Sequence, residues 1–269
     1  MKMITGLWTA LPPLDRTQDQ ELGGALEYLL AHGVDGFFAL GTTGRGADLT
    51  LIERQRFLER LIGLVGMPQK IVIAISANPP GDVRALMEHA FSLGVEGVAM
   101  TPPFYGAFDQ NELIEWVHGV FDGIRKERSV YLYNMPAVGH TVWELDMVSL
   151  VDEMIGIDGI KDSSGDIGQV LQYLAWASGH NASVLVGNER LTTYHYLAGG
   201  HGVVSGLSAM YPRMMADLIG YCTRREWDQA CSAQEQVNRQ LENLVGRSLR
   251  AGAAALVQGM RVQGILRSH

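Results

Sequence analysis

A lysine placed at the end of an apolar strand is a candidate for covalent chemistry on carbonyls. Lys161 has that setting, within residues 151–166, VDEMIGIDGIKDSSGD. Ile155, Ile157 and Ile160 with Gly156 and Gly159 read as a short buried strand that Lys161 closes before the polar turn DSSGD. Strand side chains alternate faces, so Lys161 shares a face with Gly159 and Ile157 and stands at the mouth of an apolar interior. Burial there disfavours the ammonium form, and a neutral amine can attack a ketone to form a Schiff base. Against this stands the ordinary fate of a lysine at a strand end, which is to be solvated and idle.

Other candidates fall at the ends of other apolar runs. In GTTGRGADLT, Gly41 and Gly44 bracket Thr42 and Thr43, whose hydroxyls and amides suit a carboxylate. The same residues also read as a strand-to-helix turn with Thr50 as a helix cap. Tyr133, in VYLYNMP, shares a face with Tyr131 and offers a phenol to relay protons, or is a buried tyrosine satisfied by a carbonyl. TPPFYGAF presents Phe104 and Tyr105 on a rigid corner, where aromatics more often serve packing or an interface. Gly187, Asn188, Glu189 and Arg190 open a helix or border a site, and GGHGVVSGLS, with Val204 and Ser205, leaves room beneath a substrate or fits a crowded barrel corner.

The elements that must position these residues alternate. Strand-like runs at 4–9, 36–40, 71–75, 97–100, 130–134, 157–161, 184–187 and 202–204 are separated by stretches such as 21–31, 51–64, 83–92, 112–124 and 170–176 with helical spacing. Eight such units predict a closed (β/α)8 barrel, with an open doubly wound sheet as the other arrangement of this pattern. The length of 269 residues suits one barrel of roughly 250 residues. Residues 1–212 are expected to form it, and 213–269 a C-terminal helical extension of the same structural unit. Catalytic groups of a barrel gather at the carboxyl ends of its strands, where all the candidates fall.

Composition narrows the function classes. A hydrophobic fraction of 47% against 19% charged supports a large core, and a net charge of −8 without a basic cluster argues against nucleic acid. Two cysteines make no metal or redox spacing and fit a reducing cytoplasm. The opening MKMITGLWTALPPLD has no signal-peptide pattern, and no run of about 18 apolar residues predicts a membrane span. The eight histidines lack metal-ligand spacing, no nucleotide-binding glycine loop is present, and His201 between Gly200 and Gly202 reads as structural. Neither metal nor nucleotide cofactor is expected.

Taken in order, GTTG at 41–44, YNMP at 133–136 and GIKDSSGD at 159–166 resemble the dihydrodipicolinate synthase / N-acetylneuraminate lyase family of Schiff-base aldolases, and the likeness runs from TALPPLD through GGHGVVS. The resemblance implies a (β/α)8 barrel with a helical carboxyl-terminal extension, assembled as a tetramer of tight dimers, that handles pyruvate as an imine on a lysine. By motif, Lys161 resembles the Schiff-base lysine and Tyr133 the proton-shuttling tyrosine. Thr42 and Thr43 resemble the carboxylate-binding pair, with Thr42 also relaying protons, and Ser163 sits where lyase members bring a hydroxyl to the sugar chain. Tyr105, or Phe104 beside it, corresponds to the tyrosine that reaches a neighbouring subunit's site. Gly41, Gly187, Val204 and Ser205 complete the expected substrate-binding set.

Three departures shape the functional expectation. Val138 stands where the synthases carry an arginine for a second substrate carboxylate; Arg45 replaces the glutamate of GTTGE; and the chain stops at RSH, short of the family's final helix, which would weaken an oligomer. The expected activity is cleavage or formation of a C–C bond between pyruvate and an aldehyde, with a 2-keto-3-deoxy sugar acid as substrate type. The alternatives are condensation of pyruvate with aspartate semialdehyde, and a non-catalytic keto-acid-binding paralogue. Val138, Ser163 and Arg190 are expected to set aldehyde choice.

Overall fold

The computed structural model describes residues 3–124, 126–244 and 248–267. Eight parallel strands, β1 (Gly6–Ala10), β2 (Gly36–Ala39), β3 (Ile71–Ala74), β4 (Gly97–Met100), β5 (Ser129–Asn134), β6 (Gly159–Asp162), β7 (Ser183–Val186) and β8 (Gly202–Ser205), close into a barrel in sequence order. Closure is made by β8 pairing with β1, Trp8 opposite Val204 and Thr9 opposite Ser205. The expected (β/α)8 barrel is therefore the observed fold.

Two apolar layers hold it. Trp8, Phe38, Val72, Ala99, Tyr131, Tyr133, Leu185 and Val204 fill the barrel interior. The alternate residues, among them Phe37, Ile73, Val98, Leu132, Ile160 and Val203, face outward onto the helices. Each strand is buried on both faces, which is why the strands read as continuous apolar runs. Gly202, at the start of β8, is one of the glycines of its stretch that packing accounts for. A Cβ there would lie 2.7 Å from both the Gly6 carbonyl and Leu185 Cδ2, so that glycine serves close packing rather than room for substrate.

The surrounding helices are α1 (Asp19–Ala31), α2 (Leu51–Val65), α3 (Pro80–Ser92), α4 (Gln110–Phe121), α5 (Leu145–Ile155), α6 (Ile167–Ser178), the short α7 (Thr192–Leu197) and α8 (Pro212–Thr223). Thr50 does cap α2, in a reciprocal capping box with Glu53. Segment 213–269 supplies most of α8, which packs against α7 and β1, and then α9 (Trp227–Glu242) and α10 (Leu249–Val262). Among the described residues no helix is long and apolar enough to cross a membrane.

The strand that carries Lys161 differs from its expected form. Ile155 is the last residue of α5, and Gly156 ends that helix in the left-handed region at φ 64°. The strand starts only at Gly159 and runs one residue past Lys161 to Asp162. Ile157 belongs to the outer layer and does not share the inward face with Lys161. Alternating isoleucines across a helix end followed by a strand start mimic one continuous strand, and periodicity over so short a run cannot separate the two.

Candidate active site

Adjacent strands bring the two principal candidates together. Tyr133 on β5 is paired in register with Lys161 on β6, and both point into the barrel, 3% and 4% exposed. The Lys161 Nζ lies 3.7 Å from the centre of the Phe38 ring and 3.9 Å from that of Tyr133, so it is held between two aromatic faces. Burial pushes the Lys161 ammonium below the ordinary lysine range; Tyr133, Glu189 and Asp162 oppose that shift without cancelling it. The neutral amine that attacks a carbonyl is thereby easier to reach than on a solvated lysine.

Tyr133 is tied into the turn after β2. Its phenol oxygen lies 3.2 Å from Thr42 Oγ1. That turn is conformationally costly: Leu40 and Arg45 both adopt left-handed backbone, at φ 56° and 54°. Such strain on non-glycine residues persists only when the surroundings fix it, and here it shapes the loop that presents Thr42 and Thr43.

On the other side, the DSSGD turn is pinned through Asp162. Its carboxyl accepts from Asn134 Nδ2 at 2.7 Å and from the Ser164 amide and hydroxyl at 3.1 and 2.7 Å. Burial raises the Asp162 pKa in spite of these bonds. Ser163 donates its amide to the Asn134 carbonyl at 2.8 Å, which sets its side chain beside Lys161. Gly187 leaves space for both: a Cβ on it would stand 3.2 Å from Ser163 Cβ and 3.3 Å from Lys161 Cε.

These residues enclose a cavity of about 340 Å³ at the carboxyl end of the barrel. Lys161, Tyr133, Thr42, Thr43, Ser163, Gly187 and Val204 all line it. A second cavity of about 190 Å³ shares Thr42 and Tyr133 with the first, and Gly41, Phe104 and Val138 border it. Arg45 also borders it but is committed, its Nε and Nη2 lying 2.8 and 2.5 Å from one oxygen of Asp48. Arg250 of α10 takes the other oxygen at 3.1 Å.

Three expected residues are placed elsewhere. Tyr105 is 86% exposed, with only its amide engaged, on Asn78, and it borders neither cavity of its own chain. Ser205 is fully buried one layer behind the wall, donating its hydroxyl to Glu189 at 2.9 Å. Arg190 borders neither cavity. His201 has a structural contact, its Nδ1 accepting from the Val184 amide at 3.1 Å.

Sequence reasoning missed Phe38 and the wall supplied by the C-terminal helices, and it named Glu189 without assigning it a role. Leu241 and Leu244 at the end of α9, and Ser248, Gly252, Ala253 and Leu256 on α10, line the larger cavity. A charged residue two places past the expected end of strand seven was the available signal for Glu189; α10 carries no motif that marks it.

A buried amine beside a phenol–hydroxyl pair, open to a cavity, can form an imine with a keto acid and move a proton to or from it. Comparison with known proteins agrees. The chain is 28% identical over 222 residues to the 4-hydroxy-tetrahydrodipicolinate synthase of Thermotoga neapolitana, covering 80% of this chain and 75% of that one. The structure of dihydrodipicolinate synthase from Bacteroides thetaiotaomicron superposes with a TM-score of 0.89 at 25% identity, over 99% of this chain and 91% of that one. CdNal from Clostridium difficile, solved in complex with mannosamine, shares the fold at a TM-score of 0.86 and 17% identity, over 97% and 91% of the two chains. The model of the dihydrodipicolinate synthetase family matches residues 1–267, and the chain belongs to that family of Schiff-base aldolase-type enzymes.

Proposed function

We propose that the protein joins pyruvate to an uncharged, hydroxylated aldehyde, or cleaves the resulting 2-keto-3-deoxy sugar acid, through an imine on Lys161. The observation that carries this reading is the buried Lys161 amine in one cavity with the Tyr133–Thr42 pair. Thr42 and Thr43 receive the keto-acid carboxylate, which aims the carbonyl carbon at Nζ. Attack forms the C–N bond. One amine proton stays on nitrogen, the other moves to the former carbonyl oxygen, and a proton from the Tyr133 phenol lets that oxygen leave as water. In the cleavage direction the phenolate takes the proton of the substrate's 4-hydroxyl. The C3–C4 bond breaks, its electron pair enters the iminium to give an enamine, and the aldehyde departs. Protonation of the enamine and addition of water then release pyruvate and the free amine. The imine is the electron sink, so the mechanism uses no separate cofactor.

The names of the relatives favour a second reading, condensation of pyruvate with aspartate semialdehyde. That substrate brings another carboxylate, and Val138 supplies no cation for it. Arg45 and Arg250 are already bound to Asp48. A buried unpaired carboxylate costs several kcal/mol, which supports the uncharged aldehyde. Ser163 and Asn188 on the wall of the larger cavity suit hydroxyls. Tyr105, turned outward, is assigned to the site of a second copy in a cytoplasmic homo-oligomer built of tight dimers.

Borohydride reduction in the presence of pyruvate tests the chemistry, with peptide mapping expected to place the adduct on Lys161. No adduct, or one on Lys70, overturns it. Comparison of kcat/KM for glyceraldehyde and aspartate semialdehyde tests the substrate, and a preference for the semialdehyde refutes that assignment.

A further inference from the structure

The wall of the larger cavity holds one cationic side chain, Lys161, and, among its described residues, one carboxylate, Glu189. Glu189 is 9% exposed, and both its side chain and its backbone carbonyl are engaged. Its Oε1 accepts from Ser205 Oγ at 2.9 Å and from the Leu207 amide at 3.0 Å. Ser205 in turn accepts from the Ser208 amide at 3.0 Å, and the Ser208 hydroxyl lies 2.8 Å from Thr9 Oγ1 on β1. The Glu189 carbonyl accepts from Thr192 Oγ1 at 2.8 Å and from Gln234 Nε2 of α9 at 2.9 Å. Residues of two strands thus fix the side chain, and a C-terminal helix fixes its backbone.

What Glu189 lacks is a cation. Among the described residues it forms no ion pair with an arginine or a lysine, and neutral donors alone are a costly way to keep a carboxylate buried. The Schiff-base cycle turns the Lys161 nitrogen in the same cavity into an iminium, and only while that imine stays protonated does it carry a positive charge. We infer that Glu189 is a positioning residue whose fixed negative charge keeps the imine on Lys161 protonated, and so keeps it an effective electron sink. The inference rests on the Schiff-base reading above.

Of the other described groups around the nitrogen, none is a carboxylate on the cavity wall. Phe38 faces it from β2 and the Tyr133 phenol from β5, and Leu185 is its register partner on β7. Asp162, next to Lys161 on β6, also favours the charged form of the lysine, but it stands behind the cavity wall with its carboxyl oxygens engaged by Asn134 and Ser164. From α10 the cavity receives Ser248, Gly252, Ala253 and Leu256, all uncharged, while Arg250 is engaged with Asp48. The same field opposes the downward shift that burial imposes on Lys161.

Glu189→Gln keeps an oxygen to accept both bonds from the β8 turn and removes the charge. The assay is the rate of pyruvate trapping by borohydride on the full-length enzyme between about pH 5 and 9, with the adduct mapped by mass. Loss of a nearby anion lowers the pH at which both the amine and the iminium lose a proton, so the whole profile moves to lower pH, by about 1 pH unit. Glu189→Asp withdraws the charge by one methylene, and its profile moves the same way by less. A profile that stays in place in either folded variant overturns the inference, even if the rate falls, because a purely structural role scales the rate without moving its pH dependence. Absence of a Lys161 adduct in the wild-type enzyme would instead overturn the Schiff-base reading.

Discussion

Gly187→Ala is the smallest change that tests whether the position of Lys161 matters as the structure implies. Gly187 follows β7 and donates its amide to the Asp162 carbonyl at 2.6 Å. Its φ is not in the left-handed region, so alanine meets no backbone penalty. The penalty is in packing. A methyl would overlap Ser163 Oγ and stand 3.2 Å from Ser163 Cβ and 3.3 Å from Lys161 Cε. The hydroxyl can rotate away; the lysine stem cannot, because the Phe38 and Tyr133 rings hold its end. Overpacking of this kind costs about 1–3 kcal/mol. If that cost falls on the placement of Nζ, kcat/KM drops by about one to two orders of magnitude. Single-turnover trapping with pyruvate should slow by the same factor, with Tm lowered by only a few degrees. Adding Ser163→Ala should recover part of the loss, and the double-mutant cycle separates the serine overlap from displacement of the lysine. Trapping at the wild-type rate, or complete rescue by Ser163→Ala, would refute the claim that Gly187 sets the position of Lys161.

Two further outcomes follow from the geometry. Tyr133→Phe keeps the ring beside Nζ and removes the phenol bonded to Thr42, so imine trapping should persist in part while turnover falls by roughly 10²-fold; turnover near wild type would remove Tyr133 from proton transfer. His195 is fully buried with Nε2 on the Val184 carbonyl at 3.1 Å, and burial, helped by His201, lowers its pKa to about 4 from the usual 6.5. The unfolded chain binds the extra proton first, so this contribution is complete above pH ~6.5 and is lost as pH falls towards ~4, about 3 kcal/mol in all. Urea midpoints measured across that window should fall, and should fall less in His195→Phe; identical slopes would show that His195 is not the group responsible.

The parts of the molecule that the sequence announced are those governed by local pattern. All eight strands were readable because parallel barrel strands are continuous apolar runs between amphipathic helices. The residues at strand ends were readable because a barrel concentrates chemistry there, and Lys161, Tyr133, Thr42 and Thr43 do meet at one cavity. The start of β6 was misread because a helix end at Gly156 and a strand start at Gly159 are too close for periodicity to part. Glu189 was passed over for a different reason. Its meaning depends on the β8 turn and on α9, and no spacing in the chain records those contacts. Ser205, carried into the substrate-binding set by resemblance, stands behind the wall, because neighbours on a strand face opposite ways and Val204 takes the inward face.

The wall contributed by α10 separates how Lys161 is placed from how it is covered. The barrel strands seat the amine between the Phe38 and Tyr133 rings, and residues 249–262 take no part in that placement. They supply the roof instead, with Leu256 and Ala253 on the cavity wall and Arg250 bonded to Asp48 on the turn that follows β2. Water admitted through an open roof favours the ammonium form. Placement and cover are therefore separable, and any cut that frees α10 should quench the lysine while leaving the barrel beneath it folded.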